Sequence, residues 1–419
     1  MINVGIESMN VYAGSAFLDV NKLALHRQLD TKRFVNLMMK EKAVAMPFED
    51  PISFGVNAAK PIVDKLSEEE KQKIELLITC TESGIDFGKS ISTYIHKYLN
   101  LSKNCRMMEI KQACYSGTIG FQMAVNFILS NTSPGAKALV IASDISRFMI
   151  VPGISLEEQD WSFAEPSGGA GAVAMLVSDS PHVFQLDQGA SGYYGYEIMD
   201  TCRPVTDGEA GDVDMSLLAY LDCCENAFLE YQKRVIGASY RDSFQYLTFH
   251  TPFGGMVKGA HRTMMRKMLK AAPSDIENDF NERVVPGLSY CQRVGNIMGA
   301  TVFLSLLSTI EKGTFERAKR IGCFSYGSGC CSEFYSGVVT PAGQKYVQQY
   351  NIERQLDQRY ELSMSEYDEL LKGSDTIKFG TRDIQLNLDR VPEIISTDQS
   401  ERLILTNITN FHRNYKWIT

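Results

Sequence analysis

The stretch Glu109–Ser130, "EIKQACYSGTIGFQMAVNFILS", sets a cysteine among small residues at the mouth of a long apolar run. A helix apolar on nearly every side is a buried one. Short apolar runs bounded by polar or turn residues recur elsewhere: "LLITC" near Leu76, "ALVIAS" near Ala138, "GAVAMLV" near Gly171, "YLTFH" ending at His250 and "IGCFSYGSG" from Ile321. These read as buried strands. Stretches of helical period lie between them, including "AHRTMMRKMLKAA". Such alternation predicts an α/β architecture, mostly parallel in its pairing, with helical layers. In each half a strand leads to a reactive-looking residue and then a helix.

Composition narrows the function classes. The 419 residues are 44% hydrophobic and 22% charged, enough for a large core in two domain-sized units or one fold made of two halves. A net charge of -8 argues against broad nucleic-acid binding, which needs a basic surface. The ten cysteines include no C-x-x-C pair and the six histidines no H-E-x-x-H spacing, so no metal site is signalled. No segment approaches 18 uninterrupted apolar residues, and the N-terminus has no charged-then-apolar leader pattern. The expected setting is soluble, reducing and cytoplasmic, with no membrane partner.

Three residues carry candidate chemistry. A thiol at Cys114, before a buried helix, would meet the positive end of the helix dipole and unpaired N–H groups, which favour a thiolate and could hold an oxyanion. By composition alone a structural core cysteine is the favoured reading, and the surrounding motifs reverse it. Glu82, in "CTESGIDFGKS", follows a strand, where its carboxylate could enter a pocket and act as a general base. His250, in "LTFHTPFGG", ends a strand and could polarise a carbonyl or protonate an alkoxide. Asn296 in "QRVGNIMGA" and Ser328 in "FSYGSGCCSE" sit in glycine turns where a ligand can approach the backbone. The turn before "GAVAML" precedes a strand instead of opening a helix, so it is no dinucleotide fingerprint.

Taken together, "TESGIDFGKS", "ACYSGTIGFQMAVNFI", "SGGAGAVAML", "HTPFGGMVKGA", "GNIMGA" and "FSYGSG" resemble, in order, the 3-hydroxy-3-methylglutaryl (HMG) synthase family of the thiolase superfamily, as far as about Phe334. The likeness is nearest to the branch found in polyketide β-branching cassettes of curacin- and bacillaene-type pathways, which acts on acyl carrier proteins. It implies a duplicated thiolase fold of five layers, αβαβα. The implied division is an N-terminal half at 1–180 with Glu82 and Cys114, a C-terminal half at 181–345 with His250, Asn296 and Ser328, and an extension at 346–419 packed on the fold.

The resemblance makes Cys114 the nucleophile that accepts acetyl from a donor carrier protein and Glu82 the base at the acetyl methyl group. His250 becomes the acid that receives the aldol addition to an acetoacetyl carrier protein. Asn296 would lie near the acceptor thioester, and the backbone at Ser328 and Cys114 would form the oxyanion hole. Hydrolysis then frees the product. The enzyme would be an acyltransferase and a homodimer without intrinsic cofactor, the phosphopantetheine arm arriving on the carrier substrates.

Lys258, Arg262, Arg266 and Lys270 recur every four residues and would form one basic helical stripe, suited to a carrier's phosphate and acidic helices or simply to solvent. Arg33 is a second docking candidate. Two departures from the coenzyme A-dependent pattern, Gly254–Gly255 after the His-x-Pro motif and "YSGT" after the nucleophile, fit the carrier branch. The alternatives are a coenzyme A-dependent synthase, an initiating ketoacyl synthase, which lacks the glutamate, and a non-catalytic scaffold partner.

Overall fold

The computed structural model describes residues 2–146, 164–205, 208–372, 377–395 and 401–419. All five apolar runs form strands: Ile74–Cys80, Lys137–Ile145, Ala170–Ser178, Tyr246–Phe249 and Lys319–Gly327. They belong to one nine-stranded sheet with two wings. One wing runs Gly5–Tyr12, Ala170–Ser178, Lys137–Ile145, Ile74–Cys80, Arg106–Ile110; the other runs Phe184–Gly195, Cys331–Val339, Lys319–Gly327, Tyr246–Phe249. Among the described residues, the strands of the two wings pair only where Gly5 and Ile6 meet Gln185 and Phe184.

From that junction outward each wing repeats the same directions, antiparallel, antiparallel, then parallel. This is the duplication expected from the motifs. It also corrects the expected pairing: parallel ladders are confined to the outer strands, and five of the eight pairings are antiparallel. The turn from Gly327 to Cys331 shows why. A parallel crossover needs a dozen residues or more, and so short a connection can only reverse the chain.

Every residue of Lys137–Ile145 and Ala170–Ser178 is buried, as strands covered on both faces must be. Helix Pro51–Val63 covers the first wing and helix Val213–Arg234 the second. Between the wings lie helices Ser116–Ser130 and Thr301–Lys312. The former reaches both sheets: Phe121 packs on Phe303 and Tyr335, and Thr118 Oγ1 hydrogen-bonds to Ser325 Oγ at 2.8 Å. The result is five layers, αβαβα.

Helix Ser116–Ser130 meets the 3-10 turn Met298–Ala300, which leads into helix Thr301–Lys312, where neither has a side chain. A Cβ on Gly117 would stand 2.1 Å from the carbonyl oxygen of Gly299. Gly117→Ala is therefore expected to destabilise the protein by about 1–3 kcal/mol through overpacking, read as a lower denaturant midpoint at unchanged slope.

The C-terminal segment packs back on the start of the chain. Tyr360–Glu361 extends the small sheet of Ala16–Asp19 and Glu41–Val44, and Leu18, Met46 and Phe48 share a core with Leu362, Ile394 and Leu405. Asp50 caps helix Pro51–Val63 through the N–H groups of Ile52 and Ser53. Its second oxygen holds Arg413 and Tyr415 of the terminal hairpin at 2.7 and 2.6 Å.

Candidate active site

Each motif residue sits just past the end of a strand or at a helix entrance, held by its backbone. Ala113 adopts φ 43°, a left-handed conformation costly for alanine, and so turns Cys114 out of the chain before helix Ser116–Ser130 begins. Strand Lys319–Gly327 ends against this turn, and a Cβ on Gly327 would lie 2.5 Å from the Tyr115 nitrogen. That glycine lets the Ser328 loop and the Cys114 loop meet backbone to backbone.

Glu82 follows Ile74–Cys80 on a loop clamped by one buried oxygen. Asp144 Oδ1 accepts from the N–H groups of Glu82 and Ser83 at 2.9 and 3.0 Å, and from the hydroxyls of Thr81 and Ser83. His250 is held through its main chain: its N–H donates to Phe324 O at 2.7 Å, and its carbonyl accepts from Tyr220 Oη at 2.7 Å.

Asn296 Oδ1 accepts from Met298 N–H at 3.0 Å and Thr301 Oγ1 at 2.9 Å. Both partners donate, which assigns that atom as oxygen and leaves the Nδ2 amide to donate elsewhere. Ser328 sits on a turn tied down by the fully buried Asp200, whose two oxygens accept from Gly329 N–H at 2.9 Å and Tyr326 Oη at 2.6 Å.

Glu82, Cys114, His250, Asn296 and Ser328 all line one cavity of about 170 Å³. The Cys114 thiol donates to Glu82 Oε1 at 3.8 Å. Burial raises the Glu82 carboxyl to about 7; Asp144 and Glu209 push the same way, while Arg203 opposes them. Such a group is half-ionised near neutral pH, as a usable base should be. Burial also pushes the Cys114 thiol well up, reinforced by Glu82, Glu209 and Asp144.

This corrects the expected dipole-stabilised thiolate. Cys114 precedes the helix, Ser116 N–H is already bonded to Ala113 O, and carboxylates face the sulfur. The resting form is the thiol, and attack by sulfur requires its proton to move. Burial lowers His250 to about 3, so near neutral pH its imidazole is uncharged and not the charged donor that was one of the two options.

The basic residues named as docking candidates lie outside this cavity. Lys258, Arg262 and Arg266 are on helix Gly254–Leu269, whereas Lys270 is its left-handed C-cap, so the stripe is shorter than the spacing predicts. Lys258 pairs with Glu277 at 2.8 Å; Arg262 and Arg266 are exposed and make no ion pair among the described residues. Arg33 is exposed on helix Thr31–Asn36. That helix meets the start of the basic one, where Gly255 N–H donates to Leu37 O at 3.0 Å. A Cβ on Gly254 would stand 2.7 Å from Met38 Cβ. The two glycines thus have a packing reason as well as the absence of a cation.

Sequence reasoning missed Asp144, Asp200, Arg203 and Glu209. None stands in a motif of its own. The one local signal was an arginine and a glutamate close together in "CRPVTDGEAG", which resembles any surface loop.

The comparisons agree with this geometry. Residues 1–181 match the model for the hydroxymethylglutaryl-coenzyme A synthase N-terminal region and 260–415 that for its C-terminal region. A polyketide biosynthesis 3-hydroxy-3-methylglutaryl-ACP synthase of Bacillus subtilis strain 168 (PksG) is 67% identical over 420 residues, covering 100% of both chains. The chain belongs to the HMG-CoA synthase family. Its match runs well past Phe334, where the motif resemblance ends, into the C-terminal hairpin.

The curacin pathway HMG synthase, solved in complex with an acetyl donor-ACP, superposes on this synthase with a TM-score of 0.96 at 63% identity, over 99% of this chain and 100% of the other. A hydroxymethylglutaryl-CoA synthase of Enterococcus faecalis is 31% identical over 370 residues, covering 88% of this chain and 91% of its own. The thiolase fold expected from the motifs is the fold of these synthases. Among the described residues, no helix is long and apolar enough to cross a membrane.

Proposed function

We propose that this synthase makes a 3-hydroxy-3-methylglutaryl thioester on an acyl carrier protein, as an acyltransferase of a polyketide β-branching cassette. The observation that carries the reading is a thiol, a carboxyl poised near neutrality 3.8 Å from it and a neutral buried imidazole in one cavity.

Cys114 sulfur attacks the acetyl thioester of the donor carrier while its proton moves to Glu82, and the carrier thiol departs. Ionised Glu82 then takes a proton from the acetyl methyl group. The resulting carbon adds to the β-carbonyl of the acetoacetyl carrier protein, the neutral imidazole of His250 gives its N–H proton to the new alkoxide, and the methyl proton now on Glu82 replaces it, so that both groups return to their starting forms. Asn296 Nδ2 and the backbone at Ser328 and Cys114 would hold the thioester oxygens. Water finally cleaves the Cys114 thioester. No step calls for a resident cofactor; the phosphopantetheine arm belongs to the substrate.

The carrier assignment is supported by the 67%-identical relative and by the two exposed arginines, Arg262 and Arg266, beside the Arg33 helix. Arg262 and Arg266, one turn apart on their helix, offer an exposed cationic stripe for the carrier's phosphate and acidic helices. The edge strand Arg106–Ile110, with Met107 and Met108 partly exposed, suits pairing with a second copy in a homodimer. Incubation with acetyl- and acetoacetyl-carrier proteins tests the whole reaction. The acceptor carrier should gain the elements of acetic acid by intact mass, and an unchanged mass would sink the reading.

The docking face has its own test. Arg262→Glu/Arg266→Glu should slow acetylation from the carrier by about tenfold or more and flatten its salt dependence, because surface charges act on encounter. Acetylation from acetyl-coenzyme A should be unaffected. Equal losses from both donors would favour the coenzyme A-dependent reading.

A further inference from the structure

The cavity holds a cation that the reaction scheme leaves unused. Arg203 is buried, with only 11% of its side chain exposed, and is the sole lysine or arginine among the described residues lining the cavity. Its fork is spread over three anchors. Nη2 donates to Glu209 Oε1 at 3.0 Å, Nη1 donates to Ser83 Oγ at 3.2 Å and Ile145 O at 3.4 Å, and Nε faces Glu82 Oε2 at 3.4 Å. Nε, unlike the other two nitrogens, has no hydrogen bond of its own.

We propose that Arg203 is the positioning residue of the base: its guanidinium sets the direction and the charge of the Glu82 carboxylate, while Glu209 holds that guanidinium back from closing on it. The proposal rests on the reading of Glu82 as the base. A closed ion pair would keep Glu82 ionised but too weak a base. With no cation at all, Glu82, Glu209 and Asp144 would crowd a dry site and Glu82 would stay protonated. The observed geometry lies between the two. Its loose 3.4 Å approach leaves Glu82 Oε1 free for the Cys114 thiol, and the Asp144 clamp keeps the Glu82 backbone still.

The charged and titratable groups facing Glu82 are therefore Arg203, Glu209, Asp144 and Cys114, with His250 and Asp212 farther round the cavity wall. Lysine cannot reproduce this role, because a single ammonium cannot span three anchors.

The test reads the base directly and needs no acceptor. Cys114 is acetylated from an acetyl-pantetheine thioester in D2O, and deuterium entering the acetyl methyl group is followed by mass spectrometry against pD. In the wild type, exchange should rise through the ionisation of Glu82. Arg203→Met should move that rising limb to higher pD by about one to three pH units, with Arg203→Lys between. Glu209→Gln should move it the opposite way, both by releasing the guanidinium and by removing a carboxylate that itself raises Glu82.

Limbs that coincide while rates fall by one factor at every pD would show a merely structural role and overturn the proposal. If Arg203→Met does not fold by circular dichroism, Arg203→Lys decides alone, and an unmoved limb there overturns the proposal equally. A wild type that takes no acetyl group, or exchanges none, overturns the reading of Cys114 and Glu82 instead. That failure is visible before any variant is made, and the proposal falls with it.

Discussion

The Cys114→Ser protein, exposed briefly to acetyl-carrier protein, is expected to show no acetyl mass where the wild type gains one, and to lose HMG formation by at least about 10³-fold. The physical ground is the nucleophile itself. A serine hydroxyl is far less acidic than a thiol, and Glu82, with its carboxyl near 7, is too weak a base to deprotonate it. The thiol is protonated at rest but polarisable, and its proton has an acceptor 3.8 Å away. The isosteric replacement leaves the helix Ser116–Ser130 and the Gly327 approach undisturbed, so circular dichroism and thermal midpoint should match the wild type. An acetyl adduct on the serine protein would place the nucleophile elsewhere among the ten cysteines, all of which are free thiols.

Glu82→Gln should separate the two half-reactions. Acetylation should slow only modestly, because the glutamine carbonyl still accepts from the thiol and the departing carrier thiolate can itself take the proton. Condensation should fall by about 10²–10⁴-fold, the usual worth of a positioned general base. The acetyl-enzyme would then accumulate, and the acceptor carrier would keep its mass. Condensation surviving in this variant would instead point to an initiating ketoacyl synthase.

The pH dependence follows with a definite sign. Glu82 must be ionised to act, and burial holds its carboxyl at about 7, so kcat/KM should rise with pH through neutrality. His250, lowered to about 3, titrates far below that range, and no second limb near its ordinary value of about 6.5 is expected from it. A limb near that value would mean that the imidazole is far better solvated than its burial implies.

Much of this was legible before any fold was known. The strands were readable because a sheet buried on both faces needs apolar runs of limited length, and the five runs had nowhere else to go. Glu82, Cys114 and His250 were readable because each ends such a run or opens a buried helix, where a polar side chain among small residues needs explaining. The basic stripe was readable as a period, although its last member, Lys270, caps the helix instead of lying on it.

The sequence by itself determined the five buried strands, the helix behind Cys114 (although Met123, Asn126 and Ser130 leave one face of it exposed rather than buried on nearly every side) and the identity of the three chemical groups. Those follow from residue type and local period. Only the tertiary structure decided how the wings pair, because direction depends on which strands a short turn joins, not on their composition. It alone decided that Cys114 rests as a thiol and that Glu82 sits near neutrality. It brought in Arg203, Glu209 and Asp144 from positions 62 to 127 residues beyond Glu82, with no local pattern to announce them. A pKa belongs to the charges and the dryness around a group, and in this chain those neighbours are close in space and far along the sequence.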